Sequence, residues 1–232
     1  MKKSRVIPIL TGAATAGVTM VAVYALVVRP WHMQWGASQG EVKRSMPGDD
    51  EIPNPKIETT RAITIAAPPS QVYPWLLQIG FQRAGWYSYD TLEKMIGVGD
   101  FEGGSSSRRI VPELQKLKIG DIIRTDPAGG FTVVALKPNR LLSLRAKIHA
   151  LTGKHLDVDA PLEEMVLDTT WAFQLEELEQ RDGTRLTVRF RADYPPSWQA
   201  SLFARALFEP VMFLMERKML LGIKERAEGQ KI

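Results

Sequence analysis

The stretch that decides how this chain folds is WQASLFARALFEPVMFLMERKMLLGIKERAE, running from Trp198 to Glu228. Turned at about 100° per residue, it places Phe208, Val211, Met212, Met215, Met219, Gly222 and Ile223 on one side, with Arg217 and Lys224 opposite. It is therefore read as a long helix with an apolar seam. Pro210 removes one helical hydrogen bond, so the segment should kink or divide near Glu209. Three methionines in the seam supply unbranched side chains that adapt to irregular partners. Such a face serves either as ordinary core packing or as one wall of a cavity for an apolar ligand.

Working back from that helix, the residues before it divide into strands. Asp121–Thr125, Phe131–Lys137, Arg140–Lys147, Thr169–Leu178 and Thr184–Ala192 are short alternating segments. Turn residues at 127–130, 138–139 and 182–183 separate most of them, the pattern of an antiparallel meander. In the last two, Trp171, Phe173 and Leu175, then Leu186, Val188 and Phe190, fall on one face, leaving the other face wet. Residues 148–164 hold His149 and His155 without a clear period and are read as a broken element or as a long loop of the kind that often forms a lid. Further back, Arg61–Ala67 reads as a strand with Ile63 and Ile65 on one face. Pro68-Pro69 then opens a helix in which Val72, Trp75, Leu76 and Ile79 recur at helical spacing. Asp90-Thr-Leu-Glu93 has the pattern of a capping box and opens a second short helix ending at Gly97. Residues 97–107, rich in glycine and serine, read as a mobile loop.

Residues 6–28 are apolar apart from three threonines and a tyrosine, and they follow Lys2, Lys3 and Arg5. A bilayer core needs about 20 such residues, so 1–28 is read as an uncleaved transmembrane anchor, longer than the apolar core of a cleavable signal peptide. The charge bias predicts a cytoplasmic N-terminus and an extracytoplasmic domain. Residues 29–60, with Pro30, Pro47, Gly48, Pro53 and Pro55 among charges, read as an extended connector or as a strap packed on the domain. Its Trp31 and Trp35 suit a membrane interface. The remaining residues, 61–232, form one domain.

Composition removes several functions. The chain of 232 residues carries a net charge of +4 spread along its length, which gives no nucleic-acid footprint. It has no cysteine, so thiolate nucleophiles and cysteine-ligated metals are absent. His32, His149 and His155 show no metal-ligand spacing, and the 97–107 glycines lack the Gly-Lys-Ser/Thr ending of a phosphate loop, so neither metal nor cofactor is expected. Candidate ligand-binding residues are Trp171, Phe173, Met212, Met215 and Met219 as cavity walls, with Trp86, Tyr87, Tyr89, Asp90 and Arg109 as a polar or aromatic mouth. Each set also has a plain structural reading, core packing for the first and bracing of the second helix for the second. Glu209 and Glu216 lie on one flank of the final helix, where pairing with arginines, including those of the sheet, competes with acid or base work.

The order of elements is one strand, two small helices, an antiparallel meander and a long final helix. Together with Arg29-Pro-Trp-His-Met-Gln-Trp-Gly36, Pro47-Gly-Asp-Asp50, Thr60-Arg-Ala-Ile-Thr-Ile65, Ala67-Pro-Pro69, Pro74-Trp-Leu76, Gly85-Trp-Tyr-Ser-Tyr-Asp90, Arg109-Ile-Val-Pro-Glu113 and Met215-Glu-Arg-Lys-Met219, it resembles the SRPBCC superfamily of START-like, Bet v 1-like domains. The chain is most similar to bacterial membrane-anchored members of the polyketide cyclase/dehydrase-like kind. The resemblance implies an α+β helix-grip fold, a curved antiparallel sheet wrapped round the C-terminal helix with a hydrophobic cavity between them. It also implies a membrane-tethered protein that binds a hydrophobic small molecule or lipid. The alternative is a cyclase, aromatase or dehydratase in which Tyr87, Tyr89, Asp90, Arg109 and Glu216 are the acid–base candidates.

Overall fold

Alternation in the last two strands sets the architecture. In the computed structural model, which describes residues 19–20, 22–95, 97, 99, 104–149, 152, 154–160, 166–178 and 182–229, β6 (Val166–Leu178) pairs antiparallel with β7 (Gly183–Asp193). Their register places Trp171 opposite Phe190, Phe173 opposite Val188 and Leu175 opposite Leu186, so the apolar sets share one face. The other strands are β1 (Ile57–Ile65), β2 (Ile122–Asp126), β3 (Gly129–Lys137), β4 (Leu141–His149) and a short β5 (His155–Leu156). They assemble in the order β1-β7-β6-β4-β3-β2, all neighbours antiparallel, with β5 added to β4. Irregularities in register between Arg124 and Asp126 of β2 and between Val133 and Ala135 of β3 bend these strands, as bulges do, and curve the sheet. The expected strands are each present, most of them slightly longer than predicted. The broken element expected within 148–164 is present as β5, folded back on β4.

The concave apolar face receives the final helical run: α5 (Trp198–Phe203), a π turn (Ala204–Phe208) and α6 (Glu209–Ala227). Ser197 caps the start by accepting from Ala200 N–H at 3.0 Å. The segment divides at Glu209 as Pro210 predicts, a short piece ending in the π turn and a longer helix starting at Glu209. The irregularity the proline demands is taken up by the π turn just before it, in keeping with the missing proline N–H. Met219, Leu220 and Ile223 are fully buried, each contributing on the order of 1.5–3 kcal/mol through lost water contact. The small helices α3 (Pro69–Leu77) and α4 (Asp90–Met95) lie where the sequence placed them, and Val72, Trp75, Leu76 and Ile79 are buried as their spacing requires.

The wet outer face is corrected. Residues 34–56 are not an extended connector but a strap lying across it, containing α2 (Gln39–Lys43), which the Ser38–Glu41 capping box starts. Glu41 takes Arg185 at 2.6 Å, and Arg189 donates to Asp49 at 2.6 Å and to the carbonyls of Glu41, Val42 and Arg44. Arg189 is thereby buried at 3% exposure with its donors satisfied. At Gly36 the strap crosses β1 so closely that a Cβ would lie 2.1 Å from the Ala62 carbonyl oxygen, and φ there is +74°. Only glycine fits that crossing.

Before the strap, a π turn (Tyr24–Val28) leads into α1 (Arg29–Met33), with Pro30 in its first turn, repeating the arrangement at Pro210. Arg29 clamps Glu209 through two hydrogen bonds of 2.7 and 2.8 Å. No helix among the described residues is long and apolar enough to cross a membrane, and most of the predicted span, 6–28, lies outside the described residues.

Candidate functional site

The site is the gap between the concave sheet and the N-terminal half of α6. Phe208, Met212, Met215 and Met219 recur along one side of the helix and face Trp171, Phe131 and Phe190 on the sheet. Between them lies an apolar cavity of about 300 Å³, closed further by Trp86, Ile148 and Leu167. That volume sits at the lower end of small-molecule sites. Trp86 stacks on Trp171 with ring centres 6.1 Å apart, and Phe131 meets the same indole at 5.6 Å. These rigid rings hold the sheet wall in place while Met212 and Met215, only half-buried, supply an adaptable helix wall.

One charged group reaches this wall. Glu216 lines the cavity, yet its side chain is 1% exposed. It accepts from the Trp171 indole N–H at 2.7 Å and from Arg61 of β1, whose Nε donates to the His32 carbonyl at 2.8 Å. Arg61 also lies 5.3 Å from the Phe213 ring. An ion pair so buried persists only because each partner is matched in charge and hydrogen-bonded. Beside it, burial and the Arg61 charge push the His32 pKa down, favouring the neutral ring.

At the rim, Asp126 at the end of β2 lies 3.4 Å from His155 Nε2, and Thr125 is within 3.5 Å of the same nitrogen. Burial opposes charge on Asp126, but the Ala128 N–H and His155 outweigh it, leaving the carboxyl pKa below its ordinary value. Among the described residues, no cluster of three or more histidine, aspartate or glutamate side chains suits a metal ion.

Five expected site residues come together here: Trp86, Trp171, Met212, Met215 and Met219. Four do not. Phe173 is wholly buried behind Trp171 and belongs to the core. Tyr87 is also core, its hydroxyl accepting from Gln78 at 2.8 Å and donating to the Trp75 carbonyl, with Arg226 4.4 Å above its ring. Burial drives its phenol pKa far above the ordinary value. Tyr89 is exposed, and Arg109 projects outward and uses only its backbone carbonyl to hold Gln78. Asp90 is bound to Ser106, bracing α4 instead of forming a mouth. That contact also anchors the end of the glycine-serine loop, much of which lies outside the described residues.

Sequence reading overlooked Phe131, Phe190, Asp126 and His155 as parts of the site, and expected a sheet arginine to pair with Glu216 without singling out Arg61. A signal for Arg61 was present: it shares strand parity with Ile63 and Ile65, so it had to face inward.

No protein-family model matches the chain, and no curated protein matches it. Several solved structures are similar over most of its length. The Aha1 dimer from Colwellia psychrerythraea is 20% identical, covering 76% of this chain and 99% of that one, with a TM-score of 0.39. Protein NE0264 from Nitrosomonas europaea is 17% identical over 80% and 100%, with a TM-score of 0.41. CalU16 from Micromonospora echinospora is 16% identical over 74% and 84%, with a TM-score of 0.32.

Proposed function

We propose that this chain is a membrane-tethered binding protein of the SRPBCC kind that holds a hydrophobic small molecule or lipid between its sheet and C-terminal helix. The carrying observation is the apolar cavity of about 300 Å³ walled by Trp171 and by Met212, Met215 and Met219. A rigid aromatic side opposite a pliable thioether side accepts apolar ligands of more than one shape. The tether is the apolar run 6–28, with the N-terminus cytoplasmic and the domain outside. Carriage is favoured over catalysis because, of the five acid–base candidates, only Glu216 lines the cavity, and Arg61 and Trp171 already occupy it.

The test is to extract the full chain in mild detergent, identify any retained small molecule by native mass spectrometry, and titrate the emptied protein with a fluorescent fatty acid and an isoprenoid probe. A retained apolar molecule or saturable uptake is expected. Neither retention nor uptake would remove the proposal. A cyclase or dehydratase reading draws on the Asp126–His155 pair at the cavity rim. Chemical conversion of a bound ligand, lost in His155→Ala, would favour it.

A further inference from the structure

The helix that walls the cavity has a second apolar stripe. Phe203, Leu207, Val211 and Leu214 are exposed and recur at spacings of four, four and three, one residue out of step with the cavity-lining Phe208, Met212 and Met215. Leu207 is 52% exposed and Trp198, at the helix start, 72%. A helix facing water on its outer side carries polar residues there, whereas one apolar on both sides has apolar surroundings on both. Contiguous exposed apolar area of this kind marks a contact surface.

The N-terminal helix identifies what covers it. Tyr24 donates to the Arg205 carbonyl at 2.7 Å, Arg29 clamps Glu209, Trp31 and His32 flank Phe213, and Trp35 lies under Arg217. The first two contacts join residues 181 and 180 apart in sequence, and the later ones rise in step, so the two helices run side by side in the same direction. The N-terminal helix shows a matching exposed stripe, Val23, Leu26, Val27 and Trp31, spaced three, one and four. Its apolar run continues toward residue 6 in the sequence.

Resting on the tether reading above, we infer that the outer face of residues 198–214 is a second bilayer-contacting surface, lying in the lipid interface alongside the N-terminal helix. The occupant is lipid because the stripe is continuous with a neighbouring helix whose sequence is long and apolar enough to enter a bilayer. Trp31 and Trp198, both exposed, are of the type that collects at the headgroup level. The helix is then a partition, with bilayer on one side and the cavity on the other. A ligand drawn from the membrane reaches Met212 and Met215 without crossing bulk water.

The chain has no cysteine, so single substitutions accept one nitroxide label each. The full chain is reconstituted in phosphatidylcholine–phosphatidylglycerol vesicles with labels at Leu207→Cys, Leu214→Cys, Val27→Cys or, as a water-exposed reference, Ile119→Cys, a site 65% exposed. Collision with dissolved oxygen, relative to a soluble nickel chelate, should be several-fold greater at positions 207, 214 and 27 than at 119. If the protein floats with the vesicles while positions 207 and 214 behave like 119, the inference fails and the tether stands. If the protein does not float, both fail. Spin–spin broadening at 207 that disappears on dilution with unlabelled chain, without oxygen preference, would assign the face to a second copy and overturn the inference.

Discussion

Trp171 of β6 donates its indole N–H to Glu216 of α6 at 2.7 Å, while Arg61 of β1 takes the other carboxylate oxygen. Two strands and the final helix are thus joined at one buried carboxylate beside the cavity. Replacing Arg61 with Met leaves Glu216 charged and only half matched, and the loss expected is about 3–5 kcal/mol in urea unfolding. Arg61→Met/Glu216→Leu removes both charges and should be less destabilised than Arg61→Met alone. A double variant at least as unstable as the single one would mean that the pair stabilises the fold beyond charge matching.

Met215→Trp should fill the cavity from its pliable side. Saturable uptake of a fluorescent fatty acid is expected to fall at least tenfold, with a melting temperature within a few degrees of the parent, because Met215 is only half-buried. Unchanged uptake would place the ligand elsewhere.

Two carboxylates give opposite pH signatures. Hydrogen bonding from Arg185 chiefly holds Glu41 down to about 2 from a reference of 4.5, so its contribution is complete above pH 4.5 and is lost as pH falls toward 2. Burial first, and Asp90 second, push Glu93 up to about 7, so its folded state favours the proton. That contribution is complete below pH 4.5 and is lost as pH rises through 7. Stability against pH, measured by urea midpoints, should lose its acid-side decline partly in Glu41→Gln and its decline between pH 4.5 and 7 in Glu93→Gln.

Gly222→Ala should cost roughly 1–3 kcal/mol, the range for forcing atoms into a packed contact. A Cβ there would lie 2.4 Å from the Tyr87 carbonyl oxygen, a backbone atom in a residue already at φ +57°. The expected readout is a lowered denaturation midpoint with unchanged ligand uptake, since neither residue lines the cavity.

Elements with a strong period were legible from sequence. The β6 and β7 alternation, the Pro138-Asn139 turn with Asn139 at φ +58°, and the seam residues Met219, Gly222 and Ile223 all fall as read. What period cannot convey is which neighbour arrives. Arg189 alternates like a solvent-facing residue, but the strap brings Asp49 and three carbonyls to it and buries it. Phe213 and Leu220 lie off the main seam but are buried, Phe213 because α1 adds Trp31 and His32 as a second partner surface. Tyr87 and Arg109 looked like a mouth because they border a glycine-rich loop. Their placement follows from Gly222 and Gln78, contacts with no local signature.

The clamp between Arg29 and Glu209 spans 180 residues, and Arg61 meets Glu216 across 155. During synthesis the first helix is complete long before its partner exists, and β1 waits, less long, for β7. Contacts this distant in sequence make closure slow and late. Until residues 198–228 leave the ribosome, the sheet's concave face lacks the helix that covers it, so the nascent chain is most open to aggregation, to chaperones and to the nearby membrane just before that run emerges.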